Sequence, residues 1–187
     1  AGALREYLAS QNKLPKKPLI AMVPVSLHGE TSAGGNQVSL LLASLATDVA
    51  DPLKRLQRIV ESTTEAKNRL TKMPRLQKMA HGITSIAPLG AGIVTGTAEK
   101  HPLFNLVISN VPGPPFPLFM AGAELVAAYP MGPVMDGAGL NITVLSYRDH
   151  IDFGFMADRE LIPDVWDMAD GIRPAFEELK AVAGRDD

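Results

Sequence analysis

Apolar positions recur along this chain in two rhythms. In the opening AGALREYLASQN, Leu4, Tyr7 and Leu8 are spaced for one helical face, which predicts a helix from residue 1. No capping residue precedes it, so the reading expects a chain that starts mid-element, as the C-terminal part of a longer protein. A basic, proline-bounded loop, LPKKP, follows. Leu19 to Leu27, LIAMVPVSL, is a continuous apolar run rich in branched residues and predicts a buried strand, with Pro24 implying an edge or a bulge. His28 to Gly35 reads as a loop and Asn36 to Leu45 as a second strand. Asp51-Pro52 opens a helix, Asp as cap and Pro in the first turn. Its predicted stripe is Leu53, Leu56, Val60, Thr63 and Leu70, continuing to Met73, where Pro74 kinks or restarts it.

From Phe104 onward the rhythm shortens to two. Phe104 to Val111 predicts a strand with Phe104, Leu106 and Ile108 on one face and Asn105, Val107 and Ser109 on the other. Glu124 to Tyr129 predicts a short strand. Leu140 to Tyr147 alternates Leu140, Ile142 and Val144 against Asn141, Thr143 and Tyr147. Arg148-Asp149 predicts a tight turn into a strand with Ile151, Phe153 and Phe155 on one face. A last helix is expected from about Pro163 to Val182, bent at Pro174, with Trp166, Ile172, Phe176 and Leu179 inward. Together these elements predict an α/β lobe, a mixed sheet with flanking helices.

Composition narrows the function classes. A chain of 187 residues is one domain or one lobe of a larger protein, and 46% apolar residues suffice for a core. The net charge of -2 offers no basic excess for nucleic acid. With no cysteine, disulfides, thiolate metal sites and cysteine nucleophiles are excluded. Residues 1–20 do not read as a signal peptide. The most apolar stretch, Ile83 to Ala98, is short and broken by Pro88, Gly90, Gly92 and Gly96, so it does not predict a membrane span.

Few residues offer chemistry. His28, His81, His101 and His150 show no metal-ligand spacing, and neither HExxH nor a GxSxG elbow is present. Gly90 to Gly96, GAGIVTG, lacks the strand and spacing of a nucleotide loop and fits a packed helix or a loop. The sequon at Asn141–Thr143 falls in mid-strand and is discounted. Lys67, Arg69, Lys72, Arg75 and Lys78 are interleaved with Leu70, Met73, Leu76 and Met79. Such a stretch can lie on an anionic lipid surface; the plainer reading is a helix with a buried stripe and a solvated basic face.

The stretch NLVISNVPGPPFPLF ends an apolar run with Ser109-Asn110 and then stiffens the chain with four prolines. Pro112 removes a ladder donor and closes the strand. Small hydroxyl and amide groups on a rigid strand end can orient a substrate or polarise a carbonyl oxygen; equally, the Asn can serve a turn.

PLIAMVPVSLH, GNQVSLLLASL, DPLKRLQRI and the block from FNLVISNVPGP through GLNITVLSY to FGFMAD resemble the C-terminal half of the bacterial wax ester synthase/diacylglycerol acyltransferase family, most closely its mycobacterial-type members. The resemblance covers nearly the whole chain. It implies the C-terminal lobe of a two-lobed fold like chloramphenicol acetyltransferase and condensation domains, with the active site in a tunnel between lobes. A histidine of an HHxxxDG motif in the N-terminal lobe would act as general base on the hydroxyl of diacylglycerol or a fatty alcohol, which attacks the thioester of acyl-CoA. This chain has no HHxxxDG, so alone it is expected to be inactive and to hold no catalytic residue.

Carried over residue by residue, the resemblance implies substrate-tunnel contacts at Gly35, Asn36, Ser109, Asn110, Val111, Pro112 and Gly113. Lys67, Arg69, Lys72, Arg75 and Lys78 become candidates for membrane or CoA-phosphate contact. No cofactor or metal is implied, acyl-CoA being substrate. Expected partners are the N-terminal lobe, acyl-CoA and the acceptor alcohol, at a cytoplasmic site peripheral to the inner membrane or lipid droplets. DFG, Asp152 to Gly154, is similar to a structural motif of related acyltransferases. The alternative function is a non-catalytic lipid-binding or scaffolding module.

Overall fold

The computed structural model describes residues 1–26, 38–72 and 102–184. In chain order these form α1 (Gly2–Ser10), β1 (Ile20–Ser26), β2 (Val38–Ser44), α2 (Pro52–Lys72), β3 (Leu106–Pro112), β4 (Phe119–Met120), β5 (Ala123–Glu124), β6 (Leu140–Tyr147), β7 (His150–Ala157), α3 (Val165–Asp170) and α4 (Ile172–Ala183). Five strands make one mixed sheet in the order β2-β1-β3-β6-β7, and β4-β5 form a separate hairpin. The outer pairs β1/β2 and β6/β7 are antiparallel, whereas β1/β3 and β3/β6 run parallel. A mixed sheet with flanking helices is the predicted architecture.

Alternation gives the sheet two apolar faces. On the first, Ala21, Leu106 and Leu140 pack with Leu4 and Tyr7 of α1 and Met168 of α3, joined by Val23, Ile108, Ile142 and Phe155. On the second, Met22 and Val107 pack with Phe104 and Ala138. The predicted faces of β3 hold from Leu106 onward. Phe104 sides with Val107 instead, because the ladder begins only at Leu106 and strand alternation does not bind a residue before it.

Several elements differ from expectation for identifiable reasons. The second helix is capped as predicted, with Asp51 Oδ1 accepting from the Lys54 amide at 2.9 Å. Its predicted stripe holds only in part: Leu70 is buried and Leu53 and Thr63 are half-buried, but Leu56 and Val60 are exposed and Arg55, outside the stripe, is buried. The inward face works by hydrogen bonds: Arg55 Nη1 donates to the carbonyls of Val49 and Ala50, both at 2.9 Å, and Ser62 Oγ accepts from the Ser44 amide at 2.9 Å. The helix thereby covers the outer edge of β2, where strand backbone needs partners.

The last helix is two helices, broken at Gly171 rather than bent at Pro174. The break places Pro174 in the first turn of α4, where a missing N–H leaves no bond unmade. Trp166 and Phe176 are exposed, not inward, and the buried anchor is Met168. The strand expected over Glu124–Tyr129 shrinks to β5, and beyond it the Ala128 amide bonds to the Asp152 side chain of β7 instead of a neighbouring strand. The predicted turn at Arg148-Asp149 is present, with Arg148 at φ 54°. The continuation at Met73–Pro74 and the segment Ile83–Ala98 lie outside the described residues. No described helix is long and apolar enough to cross a membrane.

Candidate functional site

Three parallel strands, β1, β3 and β6, end at one edge of the sheet. The carboxyl ends of parallel strands are where α/β folds gather ligand groups. Ser109 to Pro112 form the last turns of the β3 ladder, and Gly113 follows directly.

The ladder on the two sides of β3 is unequal. Toward β6 it runs unbroken from Val107–Asn141 to Pro112–Ser146, but toward β1 it holds only at Ala21–Leu106 and Met22–Val107. Beyond those two pairs no β1–β3 ladder is present among the described residues, and this break in the pairing is the fork of the sheet. Pro24 fits this. The Ile20 amide donates to Asn105 Oδ1 at 2.8 Å and the Ile20 carbonyl accepts from the Asn105 amide at 2.8 Å, so both face β3. Alternation turns the backbone of Pro24 the same way, into the fork, where its missing N–H breaks no ladder bond. The proline implied an edge or a bulge; β1 is instead an interior strand, and Pro24 sits beyond the two pairs that join it to β3. By the same alternation the amides of Ser109 and Val111 turn toward the fork from the other side.

The two polar side chains of the block do not share a face. Ser109 lies on the second face beside Thr143, whereas Asn110 lies on the helical face beside Val144. Ser109 is half-buried; Asn110, Val111 and Pro112 are exposed. The two side chains therefore point to opposite sides of the sheet, next to the place where the β1–β3 ladder ends.

Gly113 is required by close approach. A Cβ there would collide with the backbone carbonyl oxygen of Ser146, and the Gly113 amide donates to Ser146 Oγ at 3.2 Å. The Pro114 carbonyl accepts from the Arg148 amide at 3.1 Å. The proline-rich block is thus tied to the β6–β7 turn.

The turn itself was expected; what the sequence reading missed is how it anchors the segment that follows β3. Buried Tyr147 accepts the Leu118 amide on its hydroxyl at 2.9 Å, Arg148 pairs with Glu124 at 2.8 Å, and Asp152 Oδ2 accepts the Ala128 amide at 3.0 Å. Gly154 leaves room for the Pro130 carbonyl, against which any Cβ would collide. Asp152 and Gly154 therefore hold the segment after β5 against the second face, giving the DFG motif a structural purpose. His150 is half-exposed, lies edge-on to the Tyr147 ring, and sits 3.3 Å from Asp149 and 3.7 Å from Asp152. The Asp149 carboxyl is held below its ordinary pKa chiefly by the hydrogen bond from His150.

The discounted sequon is inside the fold. Asn141 is buried, its Nδ2 donates to the Pro133 carbonyl at 2.9 Å, and its Oδ1 accepts from Thr143 Oγ1 at 2.9 Å.

The other candidates are dispersed. Gly35 and Asn36 lie outside the described residues, on the connection between Ser26 and Val38, which pair with each other. Lys67, Arg69 and Lys72 are exposed on the last turns of α2, with Arg69 facing Glu65, while Arg75 and Lys78 lie outside the described residues. His28, His81, His101 and Gly90–Gly96 also lie outside them. The helix α2 borders β2, so β1 and β2 stand between the basic residues and Ser109–Gly113.

Residues 34–180 match the WS/DGAT C-terminal domain family. The chain is 41% identical over 185 residues to the O-acyltransferase WSD of Acinetobacter baylyi, covering 99% of this chain and 40% of that protein. It is 42% identical over 186 residues to a Mycobacterium tuberculosis protein whose name assigns it diacylglycerol O-acyltransferase activity, covering 98% and 42% of the two. Among solved structures it is similar to a wax ester synthase/diacylglycerol acyltransferase from Marinobacter aquaeolei, with a TM-score of 0.85 and 39% identity over 98% of this chain and 41% of the other. The chain thus spans about two fifths of the length of the relatives it matches.

Proposed function

The chain belongs to the WS/DGAT C-terminal domain family, and on that premise we propose that it is the C-terminal lobe of an acyl-CoA-dependent O-acyltransferase esterifying diacylglycerol or a long-chain alcohol. The observation that carries the reading is the fork between β1 and β3, lined by Ser109, Asn110 and Val111 at the carboxyl edge of the parallel strands. In the reaction the acceptor hydroxyl adds to the thioester carbonyl, giving a tetrahedral oxyanion. The C–S bond then breaks, releasing the ester and the CoA thiol, to which the base returns the proton it took from the hydroxyl. The base belongs to the HHxxxDG lobe, a motif that this chain does not contain. Here the fork contributes donors: the Ser109 and Val111 amides, the Ser109 hydroxyl and the Asn110 amide group can hold a carbonyl oxygen or an amide of the acyl carrier without reorganising. Acyl-CoA is substrate, and no cofactor is needed for this chemistry.

The test joins this chain to an upstream lobe and measures ester formation from acyl-CoA with diacylglycerol and with a long-chain alcohol. Ester is expected from the two lobes together and none from this chain alone. Failure with both acceptors, or turnover by the isolated chain, would overturn the reading.

A second reading, a non-catalytic lipid-binding or scaffolding module, is favoured by the exposed Lys67, Arg69 and Lys72. It also places the protein at a membrane or lipid-droplet surface facing the cytoplasm. The mass of the intact polypeptide separates the two, since only the enzyme requires an HHxxxDG lobe.

A further inference from the structure

We propose that His150 is a proton-dependent clasp at the β6–β7 turn: on gaining its second ring proton it tightens the hold of Asp152 on the backbone of Ala128. The inference uses only residues of this chain and is independent of the reaction assigned above. His150 opens β7 and pairs with Tyr147, the last residue of β6. The Tyr147 ring steadies it, the two centroids lying 5.5 Å apart with the rings nearly perpendicular. Two residues further along β7, Asp152 Oδ2 accepts the Ala128 amide at 3.0 Å.

The two ring nitrogens face two carboxylates. Nδ1 lies 3.3 Å from Asp149 Oδ1 and Nε2 lies 3.7 Å from Asp152 Oδ2. An ionised carboxylate only accepts hydrogen bonds, so each contact requires a proton on the nitrogen it meets. A neutral imidazole carries one. With that proton on Nδ1, toward the nearer Asp149, Nε2 turns a lone pair to Asp152. The imidazolium supplies both protons and answers both carboxylates with charge-assisted bonds. The gain is greater at Asp152, whose side chain is 11% exposed against 95% for Asp149, because water screens it less. Its Oδ2 can accept Nε2–H beside the Ala128 amide, since a carboxylate oxygen has room for two donors.

Among the described residues, the titratable and charged groups around the ring are Tyr147 from β6, Arg148 and Asp149 from the turn, Asp152 from β7 and, behind Arg148, Glu124 from β5. Arg148 opposes a second positive charge, but it is paired with Glu124 at 2.8 Å. Asp149 and Asp152 are then the charges that an imidazolium meets. The hydrogen bond from His150 holds the Asp149 carboxyl below its ordinary pKa, so Asp149 stays charged while histidines titrate. The sign follows. The added attraction is present below the histidine range and is lost as pH rises through it, between about pH 5 and 8. Ala128 belongs to the segment that runs on from Ser109–Gly113, so this proton alters how firmly the backbone leading away from the fork is held.

The experiment measures hydrogen exchange at the Ala128 amide of the full polypeptide from about pH 5.5 to 8, as protection factors, which cancel the intrinsic pH dependence of exchange. Protection is expected to fall about threefold as pH rises, the effect of one partly screened ion pair. The fall should track the His150 ring titration read from the same samples. His150→Gln keeps a donor for Asp149 but gains no charge, and should hold Ala128 at the high-pH level of wild type throughout. Asp152→Asn keeps an acceptor for Ala128 without the charge. In that variant His150 should give up its second proton about threefold more readily, because the coupling is mutual.

Protection that does not change with pH overturns the proposal without recourse to a variant. So does an equal fall in His150→Gln, or an unaltered His150 titration in Asp152→Asn. Exchange is read without acyl-CoA, so its outcome is independent of whether joined lobes make ester.

Discussion

Gly113 and Tyr147 show how single side chains fix the proline-rich block. At Gly113 the limit is space, not backbone conformation, since the Ser146 carbonyl occupies the position of a Cβ. Gly113→Ala should therefore destabilise the fold by about 1–3 kcal/mol, as overpacking does, read as a lower urea midpoint with an unchanged slope. At Tyr147 the hydroxyl is the partner of the Leu118 amide. Tyr147→Phe keeps the buried ring and strands that N–H, at a cost of about 1 kcal/mol because Leu118 is partly open to water. Faster hydrogen exchange at Leu118 would accompany it, and unchanged exchange would show that the hydroxyl does not hold the proline-rich segment. Both glycines that meet carbonyls, Gly113 and Gly154, were visible in the sequence as letters. Their reasons were not, because the opposing carbonyls lie 33 and 24 residues away.

Among the elements, α2 departs most from its pattern. Leu56 and Val60 suggested an inward stripe, but the helix is anchored by Arg55 and Ser62, which periodicity of apolar residues cannot reveal. Arg55 is buried, yet two carbonyls and Glu178 at 3.6 Å partner its guanidinium, so the charge is not stranded. The exposed Lys67, Arg69 and Lys72 sit at the C-terminal end of the same helix, where cations also favour the helix dipole. Replacing Lys67, Arg69, Lys72 and Arg75 by Gln should weaken binding to anionic vesicles, most at low salt. Sedimentation with vesicles at two salt concentrations decides it; binding that is unchanged and insensitive to salt would leave these residues as a solvated face.

Across the whole molecule, the fork and the segment from Phe116 to Val134 are positioned by one connected structure. β3 carries Ser109–Pro112 to the edge, Gly113 and Pro114 pass the chain to the β6–β7 turn, and residues at that turn hold Leu118, Glu124 and Ala128. In the two-lobed enzyme, Asn110→Ala should lower turnover by about tenfold or more if its amide holds the reacting group. The fold should change little, since Asn110 is exposed. Steady-state rates with saturating acyl-CoA, alongside the thermal midpoint, test this, and an unchanged rate would reduce Asn110 to a turn residue. Because Ser109 faces the opposite side of the sheet, Ser109→Ala should not mimic it fully unless one ligand spans the fork.

What the amino-acid order determined alone was local: most strand and helix identities, the Asp51 cap, the Arg148-Asp149 turn and the alternation of β6. These follow from contacts within a few residues and from the two hydrophobic periods. Family resemblance directed attention to Ser109–Gly113. Only the tertiary structure decided that β1 and β3 separate after two pairs, that Ser109 and Asn110 lie on opposite faces, that Trp166 and Phe176 point outward, and that Asp152 and Gly154 clamp a distant segment. Each depends on which strands become neighbours and which backbone approaches which, and those pairings join residues far apart in the chain, where no local pattern reaches.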